Sequence, residues 1–161
     1  VILHKPTDRF PTCKGSALLL VSSSLPKIYQ ELYARWLYRI MKPEFYDAVS
    51  ISVKLEYTFD GSLRLSHYGY SHTVMRLLQF LAKDIQALML DGEKAELVFS
   101  TVREGMMQEL TNFYFGHPLD VGTELQKRLF QGKGSTTVEQ DLELLVKLDF
   151  NEFQKVARDV W

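Results

Sequence analysis

The clearest pattern in the chain is a strict alternation from Ile51 to Phe59. Ile51, Val53, Leu55, Tyr57 and Phe59 are apolar, and Ser52, Lys54, Glu56 and Thr58 between them are polar. Successive strand side chains point to opposite faces, so a period of two gathers the apolar groups on one side. Asp60-Gly61 follows, a pair suited to the positive φ of a tight primed turn. The returning strand carries Leu63, Leu65 and His67 on one face and Arg64, Ser66 and Tyr68 on the other. The pattern predicts an antiparallel hairpin packed on helices through one face, with the other face at least partly polar.

Around this hairpin the periodicity changes. Val1 to Lys14 holds two prolines and mixed charge and reads as an extended lead-in or edge segment. Ser16 to Ser24 is a short apolar run between small polar residues, the signature of a strand buried on both faces. Ser24 and Pro26 supply helix-start chemistry. Ile28, Leu32, Trp36, Leu37, Ile40 and Met41 then recur at helical spacing as one stripe. Pro43 is expected to stop that helix and to disfavour helical geometry at Lys42, with a short helix over Glu44 to Ser50 after it.

From Ser71 onward every segment reads as helical. Val74, Leu77, Leu78, Leu81, Ile85 and Leu88 form a stripe that ends at Asp91-Gly92. A helix over Glu93 to Phe115 turns Val98, Val102, Met106, Leu110 and Phe113 to one side, and Gly116-His117-Pro118 breaks it. Asp120 to Gln131 is a helix bearing Val121, Leu125 and Leu129, followed by the loop Gly132 to Ser135. Thr136 or Thr137 starts a short helix with Val138, Leu142 and Leu145 on its apolar side. Asp149 and Glu152 have the spacing of a capping box for a last helix through Trp161.

Strand, helix, strand, strand and then helices define an α+β fold, an antiparallel sheet with helices packed on one face. The 161 residues suit a single domain spanning 1–161. A 46% hydrophobic and 24% charged composition is that of an ordinary globular protein. The net charge is −1, with acids and bases interspersed, so nucleic acid is not an expected partner. The longest apolar run, Ala17 to Val21, is far short of the roughly 20 residues of a membrane span. Cys13 is the only cysteine, which excludes an internal disulfide and favours a reducing, cytoplasmic compartment. The terminal Trp161 suggests that more structure follows, and that the chain is a fragment of a longer protein lacking some C-terminal strands.

Candidate chemistry is sparse. None of His4, His67, His72 and His117 has a partner at the i, i+4 spacing that puts two imidazoles on one helical face. His67 and His72 straddle a strand end and a helix start, where either a fortuitous zinc site or two structural histidines fit; the structural reading is preferred. Gly132-Lys-Gly-Ser-Thr-Thr137 lacks the early glycine and the hydroxyl directly after lysine of a phosphate loop, and reads as a helix connection. Cys13 has Lys14 and Arg9 nearby but no readable histidine–carboxylate arrangement. Phe113-Tyr-Phe115 with His117 is expected in the core rather than on a binding surface, and Glu139 to Glu143 as a solvated helical face. No catalytic, metal-binding or cofactor-binding residue is assigned, and substrate-contacting residues are left unassigned.

The motifs taken together resemble one family. Leu3-His-Lys-Pro-Thr-Asp-Arg-Phe-Pro11, the strand ending in Ser22-Ser-Ser24, the helix running to Glu44-Phe-Tyr-Asp-Ala48, and Leu55-Glu-Tyr57 occur in order. So do the hairpin exit Gly61-Ser-Leu-Arg-Leu-Ser-His-Tyr-Gly-Tyr-Ser71 and the helix carrying Val102 to Phe113. This order and spacing resemble the pitrilysin/insulinase family of zinc metallopeptidases, and most closely the third of the four homologous domains of its long single-chain members. The resemblance covers nearly the whole chain. Ser50-Ile-Ser-Val53 stands where the family often has small residues including a glycine, and the turn at Asp60-Gly61 is shorter than usual.

The resemblance implies a clam-shell zinc metalloendopeptidase whose halves enclose peptide substrates. In that family the first domain carries H-x-x-E-H and holds the zinc, while the third walls the chamber. H-x-x-E-H does not occur in this chain, so no catalytic residue of the family carries over to any position here. The implied partners are the other domains of the same polypeptide and the peptides it handles. The same fold also serves as an inactive scaffold subunit in processing-peptidase relatives and respiratory core proteins, which is the alternative reading. An unrelated α+β ligand-binding module is a third.

Overall fold

In a computed structural model the described residues are 14–21, 24–44, 46, 54–59, 63–70, 72–76, 78–79, 92–130 and 136–159. Three strands, β1 (Lys14–Val21), β2 (Lys54–Phe59) and β3 (Leu63–Tyr70), form an antiparallel sheet in the order β1-β3-β2. Helix α1 (Lys27–Glu44) packs on it, and α2 (Gly92–Thr111), α3 (Pro118–Phe130), α4 (Val138–Lys147) and α5 (Phe150–Asp159) follow. The chain is therefore mostly helical with a small antiparallel sheet, an α+β arrangement.

The hairpin follows the alternation. β2 and β3 pair from Lys54↔Tyr68 to Phe59↔Leu63, and β1 pairs with β3 from Lys14↔Tyr70 to Val21↔Leu63. Tyr57, Leu65 and His67 are buried beneath α1, while Lys54, Glu56, Thr58, Arg64 and Tyr68 are exposed. The turn expected at Asp60-Gly61 lies outside the described residues.

β1 departs from its expectation. Over Lys14–Val21 it alternates between exposed and half-buried positions, with Leu18 49% and Leu20 58% exposed. An apolar run does not say how many faces of a sheet are covered. Among the described residues helices cover one, and β1 lies at the edge of the sheet.

Pro26 lies just ahead of α1, its carbonyl accepting from the N–H groups of Tyr29 and Gln30. Ile28, Leu32, Trp36, Leu37, Ile40 and Met41 all face the core, as their spacing requires. Pro43 does not stop the helix: α1 continues through it to Glu44. In the last turn a proline removes only one intrahelical bond, so the helix runs slightly past it. Tyr46 is helical and exposed; the rest of the helix expected over Glu44 to Ser50 lies outside the described residues. Residues 72–76 and 78–79 are helical, with Val74 buried and Leu78 half-buried; Leu77, Leu81, Ile85 and Leu88 of that stripe are likewise outside.

The main core joins α1 to α2, α4 and α5. Phe153 lies between Trp36 and Phe99, with ring centroids at 5.3 and 4.8 Å, and the Trp36 indole N–H donates to the Ala95 carbonyl at 3.1 Å. On α2 the fully buried positions are Ala95, Phe99, Val102 and Met106, with Val98 and Leu110 only partly covered. The stripe is thus rotated slightly from the one the aliphatic residues suggested, because Phe99 rather than Val98 fills the core.

The helix expected to reach Phe115 ends at Thr111. A single 3-10 turn, Phe113–Phe115, follows and closes with Gly116 N–H donating to Phe113 O at 3.2 Å. Three residues per turn send the three aromatic rings in different directions. Only Phe113 is half-buried; Tyr114 is 54% and Phe115 87% exposed, so the triplet is not core. α3 starts at Pro118, earlier than Asp120, and is peripheral. Val121 is half-covered, and Leu129 is 82% exposed.

Thr137 caps α4 through a reciprocal capping box with Gln140. Leu142 is only partly buried, and Asp141 takes the buried place beside Val138 and Leu145. Asp149 caps α5 by accepting from the Glu152 backbone N–H at 2.7 Å.

Candidate functional site

Helices α1, α2 and α3 and strand β2 bound an open groove of about 690 Å³. Ala34, Tyr57 and Met106 contribute to its apolar lining, and Glu31, Arg35 and Glu109 to its charged walls. One turn of α1 separates Glu31 from Arg35, so their side chains meet on one helical face. Arg35 donates to Glu31 Oε1 and to Glu109 Oε2 of α2, each at 2.8 Å. Burial works against the guanidinium charge, but the bond to Glu109 and the two carboxylates outweigh it and raise the Arg35 pKa. The carboxylates are held as acceptors across α1 and α2.

Tyr57 reaches from this groove into the sheet. Its hydroxyl lies 2.9 Å from His67 Nε2, and its ring meets Tyr38 edge-on at 5.9 Å. His67 is 1% exposed, and its Nδ1 has no hydrogen-bond partner among the described residues. Burial pushes the imidazole pKa down to about 4, so the ring is neutral at neutral pH. Burial, and then the neighbouring Tyr38, raise the Tyr57 phenol, which keeps its proton. A neutral phenol and a neutral imidazole, both enclosed, make a structural hydrogen bond. Among the described residues the groove offers ion pairs and apolar contact.

The described histidines do not converge. His67 belongs to the covered face of β3, whereas His72 is exposed and stacks on Tyr70 of the opposite face at 6.1 Å. His117 Nδ1 accepts from the Leu119 N–H at 3.3 Å, at the start of α3. No group of three or more histidine, cysteine or acidic residues arranged to hold a metal occurs among the described residues, and His67 with His72 does not fit a zinc ion. Lys14 opens β1; His4, Arg9, Cys13 and the loop Gly132 to Ser135 lie outside the described residues.

The acidic stretch of α4 is only partly solvated. Glu139 and Glu143 are exposed, but Asp141 is 4% exposed. Arg128 of α3 donates to Asp141 Oδ2 at 2.7 Å and to the Thr136 carbonyl at 2.9 Å, and the Thr136 hydroxyl donates to Asp141 Oδ1. A buried carboxylate needs such a set of donors, and it ties α3 to α4. Tyr114 adds a hydroxyl bond to Glu139 at 2.9 Å. The Glu31/Arg35 and Glu124/Arg128 spacings were visible signals for part of these networks; Glu109 and Asp141 join through tertiary contact alone.

The other surface of note is the face of the sheet turned away from α1, which carries Leu18, Leu20, Tyr68 and Tyr70 among polar neighbours. No described helix is long and apolar enough to cross a membrane. No known family model matches this chain, and no curated protein matches it.

Proposed function

We propose that this chain is a non-catalytic domain of a pitrilysin/insulinase-type zinc metalloendopeptidase, forming part of the wall of a chamber that encloses peptides. The carrying observation is the sheet itself: antiparallel, ordered β1-β3-β2, backed by α1 on one face and, among the described residues, exposed on the other. A wall of this kind needs a rigid covered side and a side presented to a ligand. The order of motifs from Leu3 to Phe113 gives further support. In this reading zinc belongs to another domain of the same cytoplasmic polypeptide, and the neighbouring domains are the principal partners.

The complete coding sequence tests the proposal. An H-x-x-E-H motif several hundred residues upstream in the same reading frame is expected; a short upstream frame without it would overturn the reading.

A further inference from the structure

The pairing register assembles a surface that no single strand reveals. On the uncovered face of the sheet, Lys14 stands opposite Tyr70, and Tyr68 stands between Ser16 and Lys54. Farther along, Ser66 stands between Leu18 and Glu56, and Arg64 between Leu20 and Thr58. Directly opposed side chains lie about 5 Å apart, and same-face positions along a strand about 7 Å. Leu20 and Leu18 therefore continue diagonally into Tyr68 and Tyr70 as one apolar ridge crossing from β1 to β3.

All four of these side chains are at least 39% exposed; His72 stacks on Tyr70, and no described element covers Leu18, Leu20 or Tyr68. An exposed ridge of this kind, rimmed by charge, marks an interaction surface. Lys14, Lys54 and Arg64 surround it, and none of the three forms an ion pair among the described residues. Glu56 is the single carboxylate on this face of the described strands. Whatever lies here meets apolar contacts along the middle and a surplus of positive charge around them.

We propose that this face binds an extended acidic peptide whose apolar side chains lie on the Leu18–Tyr68 ridge and whose carboxylates meet Lys14, Lys54 and Arg64. From Lys14 to Leu20 the strand offers about 20 Å, the span of about six extended residues. The leucines and the central Glu56 favour a peptide over a phosphate backbone, which gains nothing from aliphatic contact and is repelled by a carboxylate. The inference rests on the chamber reading for the peptide's role as substrate, whereas the contact is read from the sheet.

Fluorescence polarisation on the whole chain tests it. The probes are a labelled decapeptide alternating glutamate with leucine and phenylalanine, the same peptide with lysine for glutamate, and a ten-nucleotide oligodeoxythymidylate. The acidic peptide is expected to bind about tenfold tighter than the basic one, the preference shrinking with added salt. Lys14→Glu with Lys54→Glu should weaken it about tenfold, and Glu56→Lys should tighten it a few-fold, a gain that misfolding cannot mimic. Equal binding of both peptides, no response to Glu56→Lys, or tighter binding of the oligonucleotide would overturn the proposal. So would a dimer in sedimentation that Leu18→Ser dissociates, since a second copy would then occupy the face. Such a failure removes the platform and leaves the chamber reading to its own coding-sequence test.

Discussion

Tyr57 is opposite Leu65 in the sheet, yet its hydroxyl reaches diagonally across the strand pair to His67 Nε2 at 2.9 Å. This places a titratable ring between the sheet and α1, in the layer that makes the fold rigid.

Acid should therefore loosen the structure through His67. In the folded chain its pKa lies near 4, below the ordinary 6.5. The unfolded chain takes up a proton below 6.5 that the folded chain refuses until about 4, so stability falls as pH drops through that window. The loss amounts to about 3 kcal/mol at its full extent. Thermal melts of wild type from pH 7 to 4 should show it. His67→Leu with Tyr57→Phe, which removes both polar partners together, should stay near wild-type stability at pH 7 and lose most of the slope. An unchanged slope in the double variant would exclude His67 as the cause.

The Arg128–Asp141 pair makes a separate prediction. The Asp141 side chain is 6% exposed and that of Arg128 18%, so removing one partner strands a charge. Asp141→Ala should cost about 3 kcal/mol, and adding Arg128→Met should recover much of it. Urea unfolding of both single variants and the double variant gives the coupling directly; additive losses would contradict a buried, mutually satisfied pair.

These two pairs mark where the sequence was readable and where it was not. Lys54 to Phe59 and the α1 stripe announce themselves because each is a local period set by backbone geometry; Ile51 to Val53 lie outside the described residues. Asp141 looked like a solvated acid because its cover comes from Arg128, on another helix. Leu18 and Leu20 looked buried because a short apolar run is silent about which sheet face lacks a helix. Phe113 to Phe115 escaped because a change from α to 3-10 geometry alters which side each ring takes. The uncovered face was half legible, through Arg64, Ser66 and Tyr68; only the register brought β1 and its leucines to it.

The aromatic core should respond strongly to truncation. Phe153 is 1% exposed and touches Tyr33, Trp36, Phe99 and Phe150. Phe153→Ala should lose about 3–5 kcal/mol, and Phe153→Leu markedly less. Denaturant unfolding followed by tryptophan fluorescence reads both, and equal losses would show that the site is not close-packed.

We propose that these side chains form a wall and carry out no hydrolysis of their own. The most direct measurement is cleavage of a quenched fluorogenic peptide by the purified chain in added zinc, with bound metal counted by mass spectrometry on the same sample. Turnover at the buffer background and less than stoichiometric zinc are expected. Peptide cleavage that follows the chain through purification, stops with chelator and accompanies one tightly held zinc per chain would contradict the proposal.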